Sequence, residues 1–246
     1  MTRWIVVKTG NEGRVTGDEW EILRLSIKVA LWSVAGSLPV ALVVAHLLAR
    51  YEFHGKSVLD AFVHLPLVLP PVVIGYFLLL LLGRRGPIGA FLDQSFGIVL
   101  SFRWTGAAVA CAVMGFPLMV RAIRLSLEAV DEKLEAAART LGASRLRVLT
   151  TITLPLALPG VITGMLLSFA RSLGEFGATI TFVSNIPGET RTLPLAIYTY
   201  TQVPGGDPQA MRLSLIAVVV SLAALLLSEI LARRATQAAK GIDAAG

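Results

Sequence analysis

The chain has 246 residues, of which 55% are hydrophobic and 15% are charged, and its mean hydropathy is +0.73. A single soluble domain of this length cannot bury so much apolar surface, so the composition excludes an ordinary soluble fold and indicates a membrane protein. The formal net charge of +6 does not indicate nucleic-acid binding, because the lysines and arginines lie between apolar runs and never form a dense basic stripe.

Residues 1–20 are polar and mixed in charge, and they lack the apolar stretch and the cleavage site of a signal peptide. We therefore interpret them as an N-terminal extension. A single transmembrane domain is predicted over residues 21–235, with its first span serving as an uncleaved insertion signal, and a short cytoplasmic tail follows at 236–246.

Five apolar segments predict an all-α polytopic membrane bundle of about five transmembrane helices, because one span needs about 20 mostly apolar residues. Pro70 and Pro71 predict a bent second helix with freed carbonyls, and Pro155, a favoured first-turn residue, begins the fourth. The third segment is rich in glycine and alanine, which predicts close helix packing. The segments are residues 29–49, 61–82, 104–120, 155–170 and 213–232.

The lysines and arginines predict the orientation through their grouping, since both sides of the membrane carry nearly equal numbers. Six of them lie between Arg121 and Arg147, and Arg233 and Arg234 directly follow the last span. This grouping favours a cytoplasmic side for the stretch 121–147 and for the C-terminus. An odd number of spans then places the N-terminus in the periplasm.

The stretch 121–154 is too polar to span and is longer than the about two to eight residues that usually connect helices. Residues 134–141 favour a helix, Gly142 follows where a left-handed helix stop is wanted, and Ser144 can cap a second helix. We therefore expect a helical hairpin on the cytoplasmic side. It offers small and apolar side chains to a partner: Ala136, Ala137, Ala138, Leu141, Leu146 and Leu149.

This hairpin resembles the EAA loop of bacterial ABC importer permeases. That loop places three residues between EAA and a glycine, nine more before an isoleucine and one before Leu-Pro, and the same intervals occur here. The glutamate position of the motif falls on Ala136, whereas Glu135 lies one place earlier. The matching residues are Ala137, Ala138, Gly142, Ile152, Leu154 and Pro155. The resemblance implies that the segment from Glu135 to Pro155 couples the membrane domain to an ATPase.

A wider resemblance to molybdate-transport permeases covers residues 22–234 and is carried by the segments 64–76, 116–131 and 169–194. It implies a type I ABC importer permease fold, a homodimer in the inner membrane, two cytoplasmic ABC ATPase subunits and a periplasmic oxyanion-binding protein. ATP and Mg²⁺ would then bind the ATPase, while this chain would hold no cofactor, metal or catalytic residue. Tungstate shares the shape and charge of molybdate, and sulfate permeases share the loop, so the resemblance leaves these three oxyanions open.

The end of the fourth span carries Arg171 and Glu175, which stand four residues apart, share a helix face and can neutralise each other. They are interpreted either as part of a gate at the dimer interface or as a purely structural ion pair. Gly174 and Gly177 permit close packing or a helix break there. The resemblance implies a polar path without a high-affinity anion site. Its candidates are Pro70, Pro71, Gly75, Ser168, Arg171, Ser172, Gly174, Glu175, Phe176, Gly177 and Thr179.

Other functions find little support in the sequence. Gly55, Lys56 and Ser57 look superficially like a phosphate loop, but Arg50 stands where that motif needs glycine. The three histidines are scattered and lack the HExxH spacing of a zinc site, and no nucleophile motif indicates a membrane enzyme. An ion-coupled secondary transporter remains a remote alternative, with Glu175 and Glu229 as its only candidate coupling carboxylates.

Overall fold

The computed structural model describes residues 17–243, and the side chains of all these residues except 228, 229 and 231–243. The predicted extension therefore lies mostly outside the described residues, as do the last three residues of the tail. The described chain contains helices and no strand, which confirms the all-α fold class. The helices are α1 (Gly17–Arg50), α2 (Lys56–Val68), α3 (Pro71–Leu82), α4 (Pro87–Phe96), α5 (Trp104–Glu128), α6 (Glu132–Thr140), α7 (Arg145–Val148), α8 (Leu154–Leu173), α9 (Gly177–Val183), α10 (Leu193–Thr201) and α11 (Asp207–Asp243), with a π-helical turn at Leu149–Thr153.

Four helical segments of the described chain are long and apolar enough to cross a membrane, and a fifth span results if α2 and α3 are taken together. This agrees with the predicted number of about five. The four are Gly17–Arg50, Trp104–Glu128, Arg145–Leu173 and Asp207–Leu227.

The spanning helices are longer than the hydropathy pattern predicted. The first begins at Gly17 instead of residue 29, and the last begins at Asp207 instead of residue 213. An ion pair joins these two helices near their polar beginnings: Glu19 is buried and its carboxylate lies 3.0 Å from Arg212 Nη2. Hydropathy detects the apolar part of such a helix and misses ends that are held by hydrogen bonds and ion pairs.

The second predicted span is not one bent helix but two helices. Its two halves, α2 and α3, are bent by 113° at a break of a few residues. Leu69 and Pro70 both have extended backbone, because a residue that precedes proline is pushed out of the helical region. Two consecutive prolines impose this on two residues in succession, which is enough to turn the chain.

The fourth predicted span does not begin at Pro155. The helix is continuous from Arg145 to Leu173. Its π turn, Leu149–Thr153, lies directly before the turn that contains Pro155. Proline donates no backbone hydrogen bond and its ring crowds the carbonyl one turn earlier. The wider π turn accommodates the proline ring. The second arm of the hairpin therefore continues into the span without a break.

Helix α5 lies at the centre of the bundle, packed between α1 and α8. The side chains of Ala45, Leu48, Ile123, Leu127 and Ala157 are almost completely buried in one cluster shared by the three helices. Glycines bring α5 and α8 close together, as the glycine-rich third span predicted: an added Cβ at Gly160 would overlap Ser126, and one at Gly115 would overlap Ser168.

The sequence did not predict α4, α9 and α10, and it ended the third span too early. These three helices have 10, 7 and 9 residues, so a search for segments of spanning length cannot detect them. Helix α5 continues to Glu128, beyond residue 120, which means that Arg121 and Arg124 lie on a spanning helix and the hairpin is shorter than the predicted stretch 121–154.

Candidate functional site

The predicted helical hairpin is present between α5 and α8. Its first arm, α6, begins after Asp131, whose side chain accepts a hydrogen bond from the backbone N–H of Lys133 at 2.9 Å. Gly142 has a φ of 87°, the left-handed stop that the sequence predicted. Ser144 then caps the second arm by accepting a hydrogen bond from the backbone N–H of Arg147 at 3.3 Å.

The tip of the hairpin presents apolar side chains to solvent. Leu141 is 89% exposed and Leu146 is 70% exposed, and Ala136 and Ala137 are also exposed. Ala138 and Leu149 are half-buried. Two leucines of this exposure on a polar hairpin indicate a surface that another protein covers.

The base of the hairpin is closed by Glu135, whose side chain is only 13% exposed. Its Oε1 lies 2.8 Å from Arg50 Nη2, at the end of α1, and accepts a hydrogen bond from Thr153 Oγ1 at 2.9 Å. Ile152, Leu154 and the exposed Pro155 stand where the hairpin joins the span. The glutamate next to the motif position is therefore directed into the protein and away from the exposed tip.

A cleft of about 480 Å³ lies between the end of α1 and the hairpin. Its walls include His46, Arg50, Glu135, Arg139 and Leu146. Among the described residues, no group of three or more histidine, cysteine, aspartate and glutamate side chains lies close enough to hold a metal ion.

The predicted break after the fourth span lies between Leu173, the last residue of α8, and Gly177, the first of α9. Arg171 Nη1 lies 2.7 Å from Glu175 Oε2, as the spacing predicted. The expectation that both stand on one helix face is wrong, because Glu175 follows the end of α8. Its Oε1 instead accepts a hydrogen bond from the backbone N–H of Ala178 at 2.8 Å, so this buried carboxylate ties α8 to the first turn of α9.

Two helix breaks meet at this position. An added Cβ at Gly177 would lie 2.7 Å from Pro71 Cβ, and Gly75 packs equally closely on Ala178. Pro70 and Gly174 are exposed, while Phe176 lies against Tyr198 with ring centroids 5.1 Å apart. The broken second span and the broken fourth span are therefore in direct contact.

The hydroxyl candidates for a polar path are buried inside the chain. Ser172 Oγ donates to the carbonyl of Ser168 at 2.8 Å and lies 2.9 Å from Ser33 Oγ. Thr179 Oγ1 donates to the carbonyl of Phe176 at 2.8 Å, and Ser168 faces Gly115. Ser168 and Ser172 thus lie at contacts between helices of one chain, whereas Pro70, Gly174 and the partly exposed Arg171 are accessible from outside it.

Sequence reasoning missed three residues of these sites. The sequence indicated Arg50 only as a basic residue of a cytoplasmic segment and as a mismatch to a phosphate loop, and it did not indicate Ser33 or Thr153. Two of them meet partners that are distant in the sequence, since Arg50 and Glu135 are 85 residues apart and Ser33 and Ser172 are 139 apart, whereas Thr153 and Glu135 are 18 apart. The one available signal was the position of Arg50, a cation directly after an apolar span.

The fold and these sites define a class of protein. In the described residues, up to five spanning helices, an exposed hairpin between two of them and a break at a buried ion pair define a polytopic membrane protein. The family follows from residues 37–237, which match the family described as binding-protein-dependent transport system inner membrane component. Because the match covers more than half of the chain, the protein belongs to this family.

Several relatives have names that specify what they transport. The chain is 61% identical over 219 residues to the molybdenum transport system permease protein ModB of Escherichia coli, covering 89% of this chain and 96% of that protein. It is 60% identical over 216 residues to ModB of Haemophilus influenzae, covering 88% and 94%. The sulfate transport system permease protein CysT of Salmonella typhimurium is 41% identical over 186 residues, covering 76% and 65%.

Solved structures establish the fold. A chain of the bacterial alginate ABC transporter, crystallised with an alginate pentasaccharide-bound periplasmic protein, matches with a TM-score of 0.71 at 16% identity, covering 90% of this chain and 80% of that one. A chain of the inward-facing methionine ABC transporter MetNI matches with a TM-score of 0.67 at 16% identity, covering 90% and 96%. The predicted type I ABC importer permease fold is confirmed.

Proposed function

We propose that this chain is the permease subunit of an ATP-driven importer that carries molybdate across the inner membrane. The exposed hairpin carries the importer part of the proposal, because it places a partner-binding surface between two spans. The choice of molybdate rests on the 61% and 60% identity to molybdenum permeases over nearly their whole length.

The hairpin is the coupling element. Ala136, Ala137, Leu141 and Gly142 form the exposed side that contacts the ATPase, and the small residues permit close approach while Leu141 enters a groove of the partner. Ile152, Leu154 and Pro155 connect this surface to α8. The permease itself catalyses no reaction: ATP and Mg²⁺ bind to the partner chain.

The assembly contains two copies of this permease, two cytoplasmic ATPase subunits and a periplasmic protein that delivers the oxyanion. The N-terminus is periplasmic, and the hairpin and the C-terminus are cytoplasmic. Support for this orientation comes from the cluster of basic residues between Arg121 and Arg147, since cytoplasmic segments of membrane proteins carry an excess of such residues.

Transport proceeds by alternating access. ATP binding closes the ATPase subunits, the docked hairpins move together, and the attached spans change from inward-open to outward-open. The contact between Pro71 and Gly177 and the neighbouring pair Arg171–Glu175 belong to the gate, where two broken spans can change their relative angle without breaking a regular helix.

The decisive test of the substrate is competition. Vesicles containing this chain, its ATPase and its binding protein should accumulate radiolabelled molybdate, with inhibition by unlabelled tungstate and not by sulfate. The lower identity and coverage of the sulfate permease favour this result. Strong inhibition by sulfate would assign the chain to sulfate transport, and uptake that needs an ion gradient but no ATPase would replace the proposal with a secondary transporter.

A further inference from the structure

The first arm of the hairpin, α6, is attached to the protein without a single buried side chain. None of its residues belongs to a hydrophobic cluster of the described chain. A surface helix of a globular protein normally keeps its position by burying an apolar stripe. Helix α6 therefore depends on its polar contacts, and those contacts converge on Glu135.

One oxygen atom of Glu135 receives hydrogen bonds from two other parts of the chain. Oε1 lies 2.8 Å from Arg50 Nη2 and 2.9 Å from Thr153 Oγ1. The Arg50 side chain is 10% exposed and also donates to the carbonyl of Val130 at 3.3 Å, while Thr153 is 2% exposed. Hydrogen bonds between charged groups that water hardly reaches are stronger than those on a surface.

The two partners of Glu135 belong to two spanning helices. Arg50 is the last residue of α1, and Thr153 is the last residue of the π turn that continues into α8. A π turn replaces regular α-helical geometry and often lies at functional sites. The carboxylate thus joins the hairpin to both spans within one small polar cluster.

We infer that Glu135 is a positioning residue that transmits movement of the hairpin to α1 and α8, and that it acts within the protein instead of binding the ATPase. This inference rests on the proposed function, because it presupposes that an ATPase moves the hairpin. Without the connection, the hairpin follows the ATPase while the two spans lag behind. ATP is then hydrolysed with little transport.

The experiment uses the complete complex of this chain, its ATPase and its binding protein in proteoliposomes, and measures ATP hydrolysed per molybdate imported. Thr153→Val removes the hydroxyl at nearly constant shape, whereas Thr153→Ser keeps it. We expect the ratio to rise about tenfold in Thr153→Val and Glu135→Ala, the factor that corresponds to losing one hydrogen bond to a charged group, and to stay near the wild-type value in Thr153→Ser.

A matched control is Glu132→Ala, since Glu132 also pairs with Arg50, at 3.3 Å, but its side chain is 81% exposed. Its ratio should stay close to that of the wild type. Combining Arg50→Met with Glu135→Ala should add little to Glu135→Ala alone, because both changes remove the same link.

The wild-type complex separates failure of this inference from failure of the proposed function. If the wild type imports no molybdate with its ATPase, the proposed function is wrong. If the wild type does so but Thr153→Val keeps the wild-type ratio, only the inference is wrong. Loss of the ATPase from complexes purified with Glu135→Ala, but not from those with Thr153→Val, would also overturn it, since Glu135 would then be a docking residue.

Discussion

Two glutamates make similar contacts in different surroundings. Glu135, at the base of the hairpin, binds Arg50 and the hydroxyl of Thr153, and its side chain is 13% exposed. Glu175, at the break after α8, binds Arg171 and the backbone N–H of Ala178, and its side chain is 1% exposed. The first connects α6, the arm of the hairpin that has no buried side chain, to the bundle, and the second lies within the bundle. We therefore expect the loss of Glu135 to change coupling more than stability, and the loss of Glu175 to lower stability.

The largest effect is expected for Glu175→Ala. It removes the partner of Arg171 and the acceptor for Ala178, and breaking a buried ion pair from one side costs about 3 kcal/mol or more. Thermal unfolding of the purified permease should move to clearly lower temperature. The double variant Arg171→Met/Glu175→Gln serves as the control and should recover much of the loss, because it leaves no unpaired charge. Equal stability of Glu175→Ala and wild type would remove the distinction between the two glutamates.

A smaller loss is expected for Gly177→Val, at the contact between the two broken spans. An added Cβ would lie 2.7 Å from Pro71 Cβ, and overpacking of this kind costs about 1–3 kcal/mol. Gly174→Ala is the matched control, since no atom lies within 4 Å of its added Cβ. Unfolding in detergent should distinguish the two variants; a Gly177→Val protein as stable as Gly174→Ala would show that the breaks are not in close contact.

At the hairpin tip, Gly142→Val tests conformation instead of packing. No atom lies within 4 Å of its added Cβ, but the φ of 87° costs a side chain about 1–2 kcal/mol. We expect a slight loss of stability together with ATP hydrolysis that no longer drives uptake. Gly142→Asn should retain more stability and more ATP-driven uptake than Gly142→Val, because asparagine tolerates the left-handed region. Unchanged uptake by the valine variant would exclude this turn from coupling.

The smallest effect on stability is expected for Leu141→Ser, because the side chain is 89% exposed and contributes little to the core. The variant should unfold like the wild type and retain less ATPase after affinity purification. Leu127→Ser is the matched comparison, because Leu127 is 1% exposed. This variant should unfold at a clearly lower temperature than Leu141→Ser. Full retention of ATPase by Leu141→Ser would place the docking surface elsewhere.

Local signals made the hairpin predictable. Gly142 and Ser144 each determine the backbone near themselves, and both do what the sequence indicated. The same holds for the break at Gly174, which two neighbouring glycines permit. The inward direction of Glu135 was not predictable, because its partner Arg50 is 85 residues away and the intervening helices decide the distance.

Helix ends and helix breaks also depend on contacts between distant parts of the chain, which the sequence pattern does not reveal. Pro70 and Pro71 predicted a change of direction, but the angle of 113° depends on how α3 packs on α9. The π turn before Pro155 left no mark in the pattern of apolar residues, since its effect is to keep a helix continuous where proline alone suggests a start. Short helices such as α9 owe their existence to tertiary contacts that composition does not encode.

The most direct test measures molybdate uptake and phosphate release together, in proteoliposomes that contain the permease and the ATPase, with the binding protein added outside the correctly oriented vesicles. We predict that uptake requires ATP and the ATPase, rises with phosphate release and persists when ion gradients are collapsed. Uptake that continues without the ATPase and stops when the gradients collapse would contradict the assignment of this chain as the permease of an ATP-driven importer.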